Sequence, residues 1–142
     1  MTPQQIKLVR DTWQLVLPIA DQAARLFYSR LFAIAPQAAV LFGGTDMDKQ
    51  RSKLLGALGL AVQNADRLDE IAPALEDMGR RHVGYGARDE HYDVVGSALL
   101  WTLEQGLQGA FTDDVRTAWT ELYGQVSGPM RRAASEQMRP AA

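Results

Sequence analysis

The chain has no cysteine and only two histidines, His82 and His91, among its 142 residues. That scarcity excludes metal sites built from several Cys or His ligands and any disulfide framework, and it fits a reducing compartment. No apolar run approaches the ~20 residues of a membrane-spanning helix. Neither sign of charge dominates: 15 basic and 17 acidic residues leave a net charge of -2. There is therefore no basic field for nucleic acid and no polybasic lever on a membrane, and neither is expected as a partner. The N-terminus reads as the start of a helix and not as a signal peptide, so a cytoplasmic protein is expected.

What is present suits one soluble domain. The composition, 46% hydrophobic and 23% charged, allows a sizeable core and argues against disorder. Thr2, Pro3 and Gln5 form a helix start: a hydroxyl cap, a proline in the first turn and a Gln to close a capping box. Ile6, Val9, Trp13 and Val16 continue it as an apolar stripe. A second helical stripe runs from about Ile19 to Ala35, where the Ala35-Pro36 step ends it, and Pro36 to Phe42 reads as a short helical turn. Asp46 or Asp48 caps a helix over about 48–65, with Leu54, Leu55, Leu58, Ala61 and Val62 inward. Further helices run from Ile71 to His82, ended by Gly84 and Gly86, and from Glu90 to Leu107, with Gly96 as a point of close helix approach. Thr112 caps the last one, which Pro129 should kink or restart. No period-two strand stands out. The fold class is all-α, with seven or eight segments in a domain over 1–134 and a frayed tail over 135–142.

Within this pattern His82 shares a helical face with Leu75 and Met78, a face built for burial. An imidazole so placed is either an axial ligand to something flat and apolar, such as a haem, or a core residue with one satisfied hydrogen bond. Tyr28 poses a similar question, because a phenol buried among apolar neighbours needs a partner. Taken singly, Phe42 reads as core, Gln50 as a solvated helix residue and His91 as a surface residue.

Read together, Tyr28, Pro36, Phe42, Gln50, Leu54, His82 and Tyr92, with the stretches LFYSRLF, MGRRHVGYG and HYDVVGSALLWTL in that order, resemble the haem-binding globins. The likeness covers about 1–130 and is greatest to the bacterial single-domain type related to flavohaemoglobins. It implies a globin fold around a haem b pocket. His82 would be the proximal iron ligand, with Phe42 packed on the porphyrin beside Pro36 and Leu54 an apolar wall of the distal side. Tyr28 and Gln50 would donate hydrogen bonds to a bound gas. Lys53 and Arg81, with Arg80, would reach the propionates, although Arg80 and Arg81 also suit the C-terminal end of a helix. Tyr92 would stand near His82 and orient its ring.

The flavohaemoglobin pattern also carries a proximal carboxylate late in the last helix, and the matching position here is Ala134; Glu121 and Glu136 fall out of register. That puts the electron-donating proximal relay in doubt. The chain length leaves no room for flavin- and nicotinamide-binding reductase domains, so redox turnover would draw on a separate reductase. The resemblance thus implies reversible binding of oxygen, carbon monoxide and nitric oxide, or nitric oxide dioxygenase activity with an external reductase. A haem-free helical interaction module would follow only if His82 were a core residue.

Overall fold

The computed structural model describes residues 1–139. Among them the chain forms seven α-helices, four of whose six connections contain a short 3-10 turn: α1 (Pro3–Val16), α2 (Ala20–Ile34), α3 (Pro36–Ala39), α4 (Met47–Gln63), α5 (Ala72–Gly84), α6 (Asp89–Leu107) and α7 (Asp113–Gln137). The helix starts follow from local chemistry. Thr2 Oγ1 accepts from the Gln5 N–H at 3.1 Å while Gln5 Oε1 accepts from the Thr2 N–H at 3.0 Å, closing the capping box. Asp46, not Asp48, caps α4 by accepting from the N–H groups of Asp48 and Lys49. Thr112 Oγ1 accepts from the Val115 N–H at 3.2 Å and starts α7. Ala35, turned out of the helical region before Pro36 (φ -140°, ψ 74°), ends α2.

The main core lies where α1, α2, α6 and α7 meet. At its centre Trp119 is 1% exposed, and its indole N–H donates to Thr12 Oγ1 at 2.9 Å. Thr12 donates in turn to the Leu8 carbonyl at 2.7 Å, so the buried polar atoms are matched in pairs and this part of the core costs no unmet hydrogen bond.

Two glycines let helices approach closely. A Cβ on Gly96 would stand 2.8 Å from the Tyr123 ring, which fits the close approach expected there. A Cβ on Gly79 would stand 2.2 Å from the Met130 carbonyl oxygen, so α5 rests directly on the backbone of α7. Around that crossing Leu75, Tyr92 and Met130 form a second, smaller core, with Met78 and Ile71 packed on it. The last helix runs through Pro129 without ending, and on to Gln137, into the stretch from Ser135 that was expected to fray. Residues 140–142 of that stretch lie outside the described residues.

These contacts leave α4 and α5 on separate supports. α4 packs on α1 and α2, while α5 packs on α7 and on the turn Leu68–Ile71. Neither helix leans on the other to a comparable extent, and the apolar residues Leu54, Leu55 and Leu58 of α4 stay only partly covered.

Candidate functional site

α2 and α4 carry the first of the residues singled out in the sequence. On α2, Tyr28 is 6% exposed and lies in an aromatic cluster. Its ring centroid is 4.9 Å from that of Phe27, 6.0 Å from Phe32 and 5.7 Å from Phe42. Phe32 and Phe42 also touch, at 5.5 Å. Phe42 closes this cluster from the turn before α4, and Phe32 is an addition that the sequence did not single out. From the first turns of α4, Gln50 Nε2 donates to the Tyr28 hydroxyl oxygen at 3.1 Å. The phenol oxygen is thus an acceptor in this pair, and its own proton is left to donate elsewhere. Burial raises the Tyr28 pKa above that of an ordinary phenol, partly offset by the Gln50 hydrogen bond and the positive charge of Arg51. The hydroxyl therefore keeps its proton through neutral pH. Leu54, one turn after Gln50, is half-buried beside the same core.

On α5, His82 stands in the last turn and is half-buried. Its Nδ1 lies 2.6 Å from the Met78 carbonyl oxygen, one turn earlier. The carbonyl can only accept, so Nδ1 carries the proton and Nε2 is left with its lone pair. Tyr85 sets its ring edge against the imidazole at 5.6 Å between centroids. The chain then turns at Gly86, whose φ of +91° suits glycine, and Leu41 rests against that corner, 3.0 Å from where a Cβ would stand. Through Phe42 and Leu41 the aromatic cluster around Tyr28 is thereby connected to the corner that follows His82.

The hydrogen bond that holds the His82 ring is to Met78. Tyr92 is buried in the small core with Leu75 and Met130, and its hydroxyl has no hydrogen-bond partner. Burial raises its pKa. The Arg131 guanidinium stacks 5.5 Å from the ring centroid and is held by Asp89 and Asp93, while the Tyr92 carbonyl accepts from the Tyr123 hydroxyl at 2.5 Å. Ala134 is buried, whereas Glu121 and Glu136 are exposed, and none of the described carboxylates is paired with Tyr92.

The rim residues divide. Lys53 and Arg81 are exposed and form no ion pair among the described residues, whereas Arg80 pairs with Asp77 at 3.2 Å. His91 is half-buried, and its Nδ1 accepts from the Arg88 N–H at 2.9 Å, so it helps to close the start of α6 and is not simply a solvated surface residue. Two open surface clefts lie apart from these side chains, one between α2 and the end of α6 around Gln22, Leu26 and Gln105, the other around Leu68, Gln125 and Arg132. Among the described residues no group of three His, Asp or Glu could hold a metal ion, and no helix is long and apolar enough to cross a membrane.

Comparison with known proteins bears on the fold and the family. The crystal structure of a hexacoordinated heme protein from an anhydrobiotic tardigrade at pH 4 superposes with a TM-score of 0.82 at 17% identity, covering 95% of this chain and 96% of that one, which establishes the fold. A flavohemoprotein of Bacillus subtilis (strain 168) is 31% identical over 86% of this chain and 31% of its own length. A flavohemoprotein of Bacillus thuringiensis subsp. konkukian (strain 97-27) is 29% identical over 100% of this chain and 35% of its own. The chain thus spans about a third of the length of these curated relatives. The family model for globins matches residues 25–130, which include Tyr28, Phe42, Gln50, Leu54, His82 and Tyr92, and the chain belongs to the globin family.

Proposed function

We propose that this globin holds haem b and binds diatomic gases reversibly, with oxygen retained by Tyr28 and Gln50. The observation that carries the reading is the hydrogen bond from Gln50 to the Tyr28 oxygen, which leaves a buried phenol proton without an acceptor. A buried donor without a partner costs about 1–3 kcal/mol, and a polar guest would supply the missing acceptor.

The residues present fit a haem. His82 offers one ring nitrogen, Nε2, while Met78 fixes the other. Phe42 and Leu54 offer partly uncovered apolar surface to a flat ring, and α4 and α5 are packed mainly on other helices and not on each other. With no cysteine in the chain there is no thioether attachment, which favours haem b. Lys53 and Arg81, unpaired and exposed, are available to the propionates. When bound, the haem would supply an iron able to coordinate a diatomic gas, with His82 as the residue that would hold it.

The rest is the work of side chains. Tyr28 donates its proton to the polar end of oxygen, and Gln50 keeps the phenol turned so that this proton faces the guest. Hydrogen bonds to partly charged acceptors are worth about 1.5–3 kcal/mol, or roughly a ten- to hundredfold slower release. Carbon monoxide gathers little negative charge and gains less. Leu54, Phe32 and Phe42 keep water from competing for the same proton. The same donors would serve nitric oxide dioxygenase chemistry if a separate reductase supplied electrons, and conversion of nitric oxide to nitrate in the presence of a reductant would identify that activity. An absorption spectrum of the purified protein tests the common premise: a Soret band that shifts on adding carbon monoxide to the reduced protein supports it, and a haem-free spectrum after reconstitution with haemin refutes it.

A further inference from the structure

Next to Gln50 in the chain, Arg51 is charged and long, yet its side chain is only 12% exposed. Its Nε is buried with no hydrogen-bond partner at hydrogen-bonding distance. The guanidinium pairs with Asp48 on its own helix, and Nε lies 3.9 Å from the Oδ1 of Asp21 on α2, whose Oδ2 accepts from Arg25 at 2.9 Å. The cation therefore lies in the seam between the two helices that carry Tyr28 and Gln50. Both carboxylates are largely exposed, at 74% for Asp21 and 84% for Asp48, so solvent screens them while the guanidinium they anchor is covered.

We propose that Arg51 is a positioning residue for the distal donors: braced by Asp21 and Asp48, its covered guanidinium fixes the start of α4 against α2, keeps the Gln50 amide on Tyr28 and polarises the phenol as a donor. This inference rests on the reading of Tyr28 as the residue that holds oxygen. Two physical consequences separate it from an ordinary ion pair. A positive charge near a phenol favours the phenolate and strengthens the O–H as a donor, and the Coulomb influence of Arg51 on Tyr28 has that sign. A covered charge is also screened little by salt, so its effect persists at high ionic strength.

The test uses the whole chain with Arg51→Met, which keeps an apolar stem and removes the charge, and Arg51→Lys, which keeps a charge and loses the fork. Asp21→Asn serves as a third variant that loosens the brace from the solvent side. In the haem-free protein the Tyr28 phenol, followed by NMR with carbon-labelled tyrosine, is expected to titrate higher in Arg51→Met than in the parent, with Arg51→Lys between them. In the haem-loaded protein Arg51→Met should release oxygen about three- to tenfold faster at both low and high salt, with a smaller effect on carbon monoxide. If Arg51→Met does not fold, Asp21→Asn must still speed oxygen release, by less, or the brace is refuted.

Unchanged Tyr28 titration together with unchanged oxygen release in Arg51→Met would overturn the inference. If Tyr28→Phe alters oxygen release and Arg51→Met does not, only the role of Arg51 fails. If Tyr28→Phe also leaves oxygen release unchanged, the distal reading itself fails.

Discussion

Gly79 on α5 lies so close beneath Met130 on α7 that a methyl group at its Cα would overlap the Met130 carbonyl, 2.2 Å away. This contact sets the height of the helix that carries His82, three residues further on. Forcing extra volume into a packed interface typically costs about 1–3 kcal/mol. Gly79→Ala should therefore lower thermal stability by that order and weaken haem retention, because α5 must shift to relieve the clash. Denaturant titration and haem transfer to a stronger acceptor protein measure the two effects, and a variant with parental stability would show that the crossing is looser than described.

The parts of this architecture that were legible in the sequence are those written in near neighbours. The Thr2–Gln5 capping box and the Thr112 cap needed only a few adjacent residues, and both formed. The need for a small residue at Gly96 was legible too, although not that the Tyr123 ring fills the space. Periodicity placed His82 on a partly buried face, but the anchor of its ring is a backbone carbonyl, and a carbonyl has no sequence signature. Phe32 was missed because its partners, Tyr28 and Phe42, come from different elements and meet only in the folded chain. Arg51 was missed for the same reason: Asp21, near which it lies, belongs to α2 and is distant in sequence. The end of α7 was placed too early because beyond Ser135 there is no apolar stripe to mark a helix that backbone hydrogen bonds continue.

His82 accounts for axial ligation in this reading, and no second histidine is placed to take the other side. His91 stands at the start of α6 with Nδ1 engaged by the Arg88 N–H, and the residue facing Tyr28 is Gln50. The reduced, gas-free protein should therefore be five-coordinate. His82→Ala should lose haem on gel filtration and regain a comparable spectrum with added imidazole. A six-coordinate low-spin ferrous spectrum in the parent, or unaltered haem content in His82→Ala, would contradict the assignment.

Burial raises the pKa of three tyrosines, Tyr28, Tyr92 and Tyr123. A phenol whose pKa is raised in the folded state stabilises the fold below its unfolded value of about 10, and that contribution is lost as pH climbs from there toward the folded value. Stability should accordingly be flat around neutral pH and fall above about pH 10, as the pH passes the unfolded value toward the raised folded ones. Three phenols that ionise near their ordinary value while helicity persists would show that they are less covered than their surroundings imply.

Retention of oxygen by the paired donors is the centre of the account, and the release rates of two gases from one variant test it most directly. Tyr28→Phe keeps the ring and its contacts with Phe27, Phe32 and Phe42, and removes only the hydroxyl that Gln50 supports. Stopped-flow displacement should then show oxygen leaving roughly ten to a hundred times faster, the loss of one charge-assisted hydrogen bond, while carbon monoxide release changes much less. Gln50→Leu should accelerate oxygen release less than Tyr28→Phe, and the double variant should fall short of the two effects combined, because the donors act as one network. Oxygen release as slow in Tyr28→Phe as in the parent, or an equal change for both gases, would contradict it.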